Sequence, residues 1–428
     1  MHDTHPLDLR ELASLPVETP LRQASAPVRR ILERALAGQE ITRAEGEALF
    51  SAPPADLPAI VRAADAVRAQ RVGEQASFIV VRNINFTNVC YMGCRFCGFA
   101  RRKEDPEAVW HSMDEVAHRA QVAGERGATE ICMQGGLHPE LPPTYYRDLL
   151  LAVKQKVPRL HVHAFSPFEV WYGAHKRKMP TQEFLQELID AGLGSMPGTA
   201  AEILDTEVRR KLTRNKLTAE AWVETIRTAH RLGLRTTSTI MYGHVDGPAH
   251  WAAHIDLLRS IQKEAGSGHG FTEFVPLGFV HAEAPLYVER AIPGVRPGAT
   301  RDEHLRMHAI ARLMLAGWVD NIQVSWVKLG AQLAGEMLHA GANDLGGTLM
   351  EESISRSAGA DFGEELTPVE MVRLIRHAGR VPVGRSTLYV PLENYADHDP
   401  VDLGPLKPRS HDPIRFLRRT GMPMMEPA

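Results

Sequence analysis

The stretch NINFTNVCYMGCRFCGFAR, residues 83–101, carries three of the chain's four cysteines, Cys90, Cys94 and Cys97, spaced C-x3-C-x2-C. It follows an apolar run from Phe78 to Phe86 that reads as a buried strand. Three thiolates on one short loop can hold three irons of a cubane and leave the fourth iron without a protein ligand, whereas a structural metal site supplies four. Asn88, Gly93 and Gly98 are the small or turn-forming residues that let such a loop wrap a cluster. The alternative is a zinc knuckle, which needs a fourth Cys or His; His111 and Cys132 lie outside the loop.

Working outward, the apolar runs after Ser77 alternate with amphipathic helical stretches, the pattern of βα units and a parallel sheet. Ser112 and Glu115 predict a capping box for a helix ending near Gly127, followed by a strand from Thr129 to Met133. Further strands are expected at Leu160 to Phe165, Leu193 to Met196, Arg235 to Met241, Phe271 to Leu277 and Asn321 to Ser325, with a short eighth around Ala342. The expected fold is α/β, a TIM-type (β/α) barrel with its site at the C-terminal ends of the strands.

Four segments are expected: a helical N-terminal lead-in (1–76), the barrel (77–330), a C-terminal segment completing and capping it (331–396), and a disordered tail rich in proline and charge (397–428). In the lead-in, Ile31, Leu32, Ala35, Leu36, Ile60, Val61, Ala64 and Val67 fall at helical spacing on either side of Ala52-Pro53-Pro54. Thr367-Pro368-Val369-Glu370 predicts one more helix start.

The 428 residues suffice for a large core, and a net charge of -3 argues against broad attraction to nucleic acid or an anionic membrane. The polar start MHDTHPLDLRE lacks the apolar core of a signal peptide, and no apolar run is long enough to cross a bilayer. The cysteines do not make a disulfide framework, so a cytoplasmic, reducing location is expected.

Residues that close the expected strands would face one cavity. They are Gly135 and Gly136 in QGGLHP; His163, Ser166 and Glu169; Glu202 in PGTAAE; Met241 to His244; Glu273 and Pro276; and Ser325 to Lys328. The glycine pair allows close backbone approach to a ligand or makes a tight turn. Glu202 either bonds a ligand or stabilises a helix dipole. Arg209, Arg210, Lys211, Arg214 and Lys216 read as a solvated basic helix face, and Cys132 as a buried small hydrophobe.

The cysteine loop resembles the radical S-adenosylmethionine superfamily, and that resemblance implies a 4Fe-4S cluster whose open iron chelates S-adenosyl-L-methionine. It assigns Cys90, Cys94 and Cys97 to the cluster and the Gly135-Gly136 backbone to the nucleotide's amino group; Ser166 and Glu202, at the strand ends, are the further candidates for the nucleotide, with a solvated loop and a helix-dipole role as their respective alternatives. Superfamily members often carry an acidic residue after the glycine pair; here Leu137 stands there. Taken in order, QGGLHP, PGTAAEIL, TSTIMYGH, FVPLGFV, QVSWVKLG and GANDLGGTLMEESISR resemble the tyrosine-using (CofH-type) subunits of FO synthase in deazaflavin biosynthesis. These are related to aminofutalosine synthase (MqnE) and dehypoxanthine futalosine cyclase (MqnC) of the menaquinone route.

The resemblance implies a transferase that splits the nucleotide into methionine and a 5'-deoxyadenosyl radical. It would release 2-iminoacetate from L-tyrosine and couple the 4-hydroxybenzyl fragment to 5-amino-6-(D-ribitylamino)uracil. A ring-closing subunit (CofG) and an electron donor such as flavodoxin or ferredoxin would be its partners. The readings set against it are a menaquinone-route radical enzyme and a non-catalytic iron–sulfur or zinc binding protein.

Overall fold

The computed structural model describes residues 7–213, 216–266, 268–290 and 292–409. Residues 1–6 of the polar start, Arg214 of the basic run, and 410–428 of the expected tail lie outside them. The architecture is α/β: parallel strands whose connections are helical.

Among the described residues nine strands are formed: β1 (Gln75–Ile79), β2 (Val81–Ile84), β3 (Glu130–Met133), β4 (His161–Ala164), β5 (Thr236–Tyr242), β6 (Phe271–Gly278), β7 (Asp344–Gly347), β8 (Val381–Arg385) and β9 (Pro391–Asn394). They pair as β2-β3-β4, β5-β6 and β7-β1-β8-β9, all parallel except β8 with β9. Single parallel bridges join His163 to Ser195, Met196 to Thr236, Phe274 to Ile322 and Gln323 to Asp344. Two of the expected strands, at Leu193 to Met196 and Asn321 to Ser325, therefore exist only at bridge length. Gly192 (φ +105°) and Pro197 bound the first, and the second runs into a helix at Trp326.

The expected first strand is interrupted at Val80, where its neighbours change: β1 pairs with β7 and β8, and β2 with β3. The Thr348 hydroxyl bridges the break, accepting from the Val81 amide at 3.0 Å and donating to the Val81 carbonyl at 2.9 Å. β8 was not expected, because Pro382 and Gly384 in VPVGR read against a strand. β1 imposes that conformation by pairing with it along residues 75–78.

Helix starts follow their local chemistry. Ser166/Glu169, Thr300/Glu303 and Thr367/Glu370 form reciprocal capping boxes. At Ser112 only half a box forms, since Glu115 turns instead to Arg119 at 2.8 Å. The lead-in contains Ala26–Leu36 and Leu57–Val72, with a further helix, Arg43–Phe50, between them. Leu57–Val72 packs on the helix Arg301–Leu315. The described part of the C-terminal tail is held rather than loose. Arg376 pairs with Asp399 at 2.6 Å, the Leu406 amide donates to Glu365 at 2.6 Å, and Arg409 pairs with Glu370 at 2.5 Å. Compositional bias misses these contacts because each is a single long-range ion pair or hydrogen bond. No helix among the described residues is long and apolar enough to cross a membrane.

Arg312, fully buried on Arg301–Leu315, ties three segments together: it donates to the Gly341 carbonyl (2.7 Å), the Asp320 carbonyl (2.6 Å) and Asn343 Oδ1 (2.7 Å). Arg312→Met strands the Gly341 and Asp320 carbonyls, while Asn343 Oδ1 keeps the Ile322 amide (2.9 Å), at a cost of about 3 kcal/mol. The expected outcome is a lowered midpoint of chemical denaturation, and an unchanged midpoint contradicts this role.

Candidate active site

β2 delivers the chain into the loop 85–112, which no ladder supports and which is held by individual bonds instead. Asn88 donates to the Glu107 carbonyl (2.8 Å) and accepts from the Val109 amide (2.7 Å); the Thr87 hydroxyl donates to the Val109 carbonyl (2.7 Å). The Cys90 amide donates to the Arg101 carbonyl (3.0 Å), and the Arg95 amide to the Leu212 carbonyl (3.0 Å). Gly93 sits at φ +65°, where side chains are strained. A Cβ on Gly98 would lie 2.6 Å from the Ala358 Cα, so the loop's third cysteine is set directly against the helix Ile354–Ser357 and its end.

Cys90, Cys94 and Cys97 are free thiols, each partly buried on this loop. Burial pushes the Cys94 pKa up to about 11, with Lys216 pulling the other way, and burial raises Cys90 as well. Among the described residues no three His, Cys, Asp or Glu side chains converge on a single ion position. A cubane makes a different demand, since each thiolate takes its own iron.

Cys97 borders a cavity of about 390 Å³ that runs inward between the strands. At its mouth stand Phe96, Glu202, Lys328 and Glu352; deeper are Cys132, Gln134 and His163; its floor is Glu130, Glu273, Gln323, Arg385 and Thr387. A shallower cleft of about 530 Å³ between Gly124 and Leu160 lies at the opposite ends of β3 and β4, away from the cysteines.

Glu202 is buried with φ +42°, pairs with Lys216, and leaves Oε2 without a hydrogen-bond partner. Lys216 is a correction to the solvated basic face: its side chain is 8% exposed and its ammonium lies 4.8 Å from the centre of the Phe96 ring. Arg209 of the same run is buried too, donating to backbone carbonyls of Ala200, Ala201 and Leu217. Arg210 and Lys211 are exposed. Periodicity missed this because the helix ends at Leu212, before Lys216, which lies over Phe96.

The glycine pair is needed by the chain itself. A Cβ on Gly135 would lie 2.5 Å from the Phe86 ring, and one on Gly136 2.3 Å from the Val89 carbonyl oxygen. Their amides are also engaged, Gly135 with Glu169 Oε1 (2.9 Å) and Gly136 with the Thr87 carbonyl (2.8 Å). Ser166 caps the helix Pro167–Arg177 and donates to Glu169 Oε2 (2.7 Å), whose carboxyl burial pushes up to about 7. None of these three residues lines the cavity, and Gln134 beside them does.

Several other expected residues face elsewhere. Tyr242 bonds His304 (2.6 Å), His244 is buried against Asp246, and Trp326 donates to the Gly347 carbonyl (2.9 Å). Cys132 lines the cavity, which corrects its reading as plain core. On β3 it lies between Glu130 and Gln134, and these three alternate residues share the inner face. That two-residue period of polar side chains, repeated by Thr237 and Thr239 on β5, was the overlooked signal for Glu130 and the floor. On the floor Glu273 accepts from Gln323 (2.9 Å) and Tyr389 and meets Arg385 (3.4 Å); Arg385 is bidentate to Asp344 (2.6 and 3.0 Å). Burial raises the Glu273 pKa against the pull of Arg385.

Residues 84–258 match the radical SAM superfamily, and 268–397 match the CofH/MqnC C-terminal region. A 5-amino-6-(D-ribitylamino)uracil--L-tyrosine 4-hydroxyphenyl transferase of Methanopyrus kandleri is 52% identical over 336 residues, covering 78% of this chain and 89% of the relative. This chain belongs to that transferase family, within the radical SAM superfamily. The FO synthase of Mycobacterium leprae is 53% identical over 342 residues, 80% of this chain and 39% of the relative, and that of Streptomyces coelicolor 52% over 354 residues, 82% and 40%. The chain thus spans about two fifths of the length of the FO synthases it matches.

Among solved structures, the hydrogenase maturase HydG of Carboxydothermus hydrogenoformans superposes with a TM-score of 0.67 at 16% identity, covering 90% of this chain and 87% of that one. Methylornithine synthase (PylB) gives 0.57 at 18%, covering 74% and 85%. These likenesses concern the fold alone.

His161 and His163 both bond the single Ser195 hydroxyl, at 2.8 and 2.7 Å. Burial lowers their pKa values to about 4 and about 3. Each folded pKa lies below the ordinary 6.5, so the stability that this contributes is present above pH 6.5 and lost as pH falls through 4 and 3. His163→Asn should flatten the fall in unfolding free energy between pH 6.5 and 4.5 by up to about 1.4 kcal/mol per pH unit, measured by chemical denaturation. An unchanged slope contradicts a buried neutral His163.

Proposed function

We propose that this chain couples the 4-hydroxybenzyl group of L-tyrosine to 5-amino-6-(D-ribitylamino)uracil in deazaflavin biosynthesis. The observation that carries the reading is the 52% identity to the Methanopyrus kandleri transferase across 89% of that protein. We read the three sheets and the bridges between them as the wall of one (β/α) barrel, with 1–76 as lead-in, 77–330 as barrel, and 331–396 completing and capping it.

The donor set suits a cluster: three thiols on one loop, bordering a cavity that is also lined by Glu202, whose carboxylate pairs with Lys216 and keeps Oε2 without a hydrogen-bond partner. In this reading Cys90, Cys94 and Cys97 hold three irons of a 4Fe-4S cluster and give up their thiol protons as they bind. Glu202 holds S-adenosyl-L-methionine, Gly135 and Gly136 set the close turn behind the cysteine loop, and Ser166, its hydroxyl taken by the cap, fixes Glu169 and through it that turn. When bound, cluster and nucleotide supply a reducing electron and a primary carbon radical.

The chain's own work is placement. Met241, Val275, Leu277 and Phe279 give the cavity apolar walls that exclude water and keep reactive hydrogens other than the substrate's at a distance. The carboxylates, amide and guanidinium of the floor present the donors and acceptors that a polyol and a pyrimidine require. The intermediate would pass to a ring-closing partner (CofG), and a flavodoxin or ferredoxin would deliver the electron, in the reducing environment of the cytoplasm. A menaquinone-route activity on a futalosine-type substrate is the competing reading, since the C-terminal match covers both CofH and MqnC.

Anaerobic incubation of the reconstituted, reduced protein with L-tyrosine, the ribitylaminouracil and S-adenosylmethionine should yield the coupled adduct by mass spectrometry. Cys94→Ala should lose at least 100-fold of that product and its iron while keeping its circular dichroism, because the loop lies outside the ladders. Wild-type protein that cleaves the nucleotide without forming adduct contradicts the reading.

A further inference from the structure

Two lysine–glutamate pairs flank the cysteine loop, and they differ in kind. Lys216 and Glu202 close on each other. Lys328 and Glu352 both line the cavity beside Cys97 without forming a direct ion pair among the described residues, and Ser355 stands between them. The Lys328 ammonium donates to the Ser355 hydroxyl (2.7 Å), and the Ser355 amide donates to Glu352 Oε1 (2.8 Å). Glu352 is 5% exposed, and its Oε2 is buried with no hydrogen-bond partner. Lys328 is half-buried, and its ammonium hydrogen-bonds to a neutral hydroxyl.

A buried carboxylate oxygen without a donor is costly, as is an ammonium whose counter-ion, here Glu352, acts on it only across a bridging hydroxyl. The other cavity cation is already matched: Arg385 is neutralised by Asp344 and Glu273. The segment that carries Glu352 is tightly fixed, with Leu349 and Met350 at positive φ and the Ser357–Ala358 backbone wedged against Gly98. A cation and an anion held apart on one short wall match a zwitterion, with its carboxylate and ammonium on one carbon.

We propose that Lys328 and Glu352 form a clamp for the α-carboxylate and α-ammonium of the amino-acid substrate, holding its backbone beside Cys97 with its side chain directed down the cavity. The assignment rests on the function proposed above, in which that amino acid is tyrosine. Desolvation pushes Lys328 down and Glu352 up from their ordinary pKa values, and an arriving zwitterion offsets both.

The test is equilibrium binding to the cluster-reconstituted protein with S-adenosylmethionine present, using L-tyrosine, tyramine (no carboxylate) and 3-(4-hydroxyphenyl)propanoate (no amine). Wild type should prefer tyrosine over each analogue by roughly 10- to 100-fold. Lys328→Met should erase the preference over tyramine, Lys328→Arg should keep it, and Glu352→Gln should erase the preference over the propanoate. Matched iron content and circular dichroism control for folding, and the wild-type comparison of ligands needs no variant.

The clamp is overturned if wild type binds tyramine as well as tyrosine. It is also overturned if Lys328→Met weakens tyrosine and tyramine equally, or weakens S-adenosylmethionine instead. Lys328-dependent binding of another α-amino acid in place of tyrosine upholds the clamp and overturns the substrate.

Discussion

Where β2 ends, the chain must cover the open ends of the strands with 28 residues, 85–112, that have no ladder to hold them. Individual hydrogen bonds hold them, and close approach at three glycines sets where they lie. Gly135 lies under the Phe86 ring, Gly136 under the Val89 carbonyl, and Gly98 against the Ala358 backbone. A side chain at any of the three would push the cysteines away from the cavity. The same contacts link β3, the cysteine loop and the Ile354–Ser357 helix into one unit, so the two halves of the chain meet at the site. One half matches the radical SAM superfamily and the other the CofH/MqnC C-terminal region.

The cavity behind that loop differs along its length. Its mouth combines separated charges and one aromatic ring with the apolar ends of β5 and β6, its middle carries Cys132, Gln134 and His163, and its floor is a hydrogen-bonded network joining Glu273, Gln323, Arg385, Asp344 and Tyr389. β8 brings Arg385 into this network, so a strand without a clear sequence signature supplies the floor. Under the proposed function the gradient sorts the substrates: the zwitterionic and cationic groups stay near the cysteines, and the polyol lies toward the floor.

Much of this was legible in the residues. The cysteine spacing, the parallel strands at Thr129, Leu160, Arg235 and Phe271, the capping at Thr367 and the motif order could be read because each is a local signal. Other features depend on long-range contact. β8 forms because β1 pairs with it, despite Pro382 and Gly384. Lys216 reads as surface until the fold sets it over Phe96. The glycine pair was read through its freedom to approach a ligand, whereas the approach seen is to Phe86 and Val89. Cys132 and Glu130 were hidden because a two-residue polar period inside a short apolar strand resembles noise until the cavity is seen.

The central claim is that a trio of sulfurs leaves one iron open to the nucleotide. Electron paramagnetic resonance of the anaerobically reconstituted, reduced protein, with and without S-adenosylmethionine, tests it most directly. The account predicts a four-iron signal whose g-values shift when the nucleotide is added, as its donors reach the open iron. A cluster signal indifferent to the nucleotide, or protein carrying zinc in place of a cluster, would contradict it.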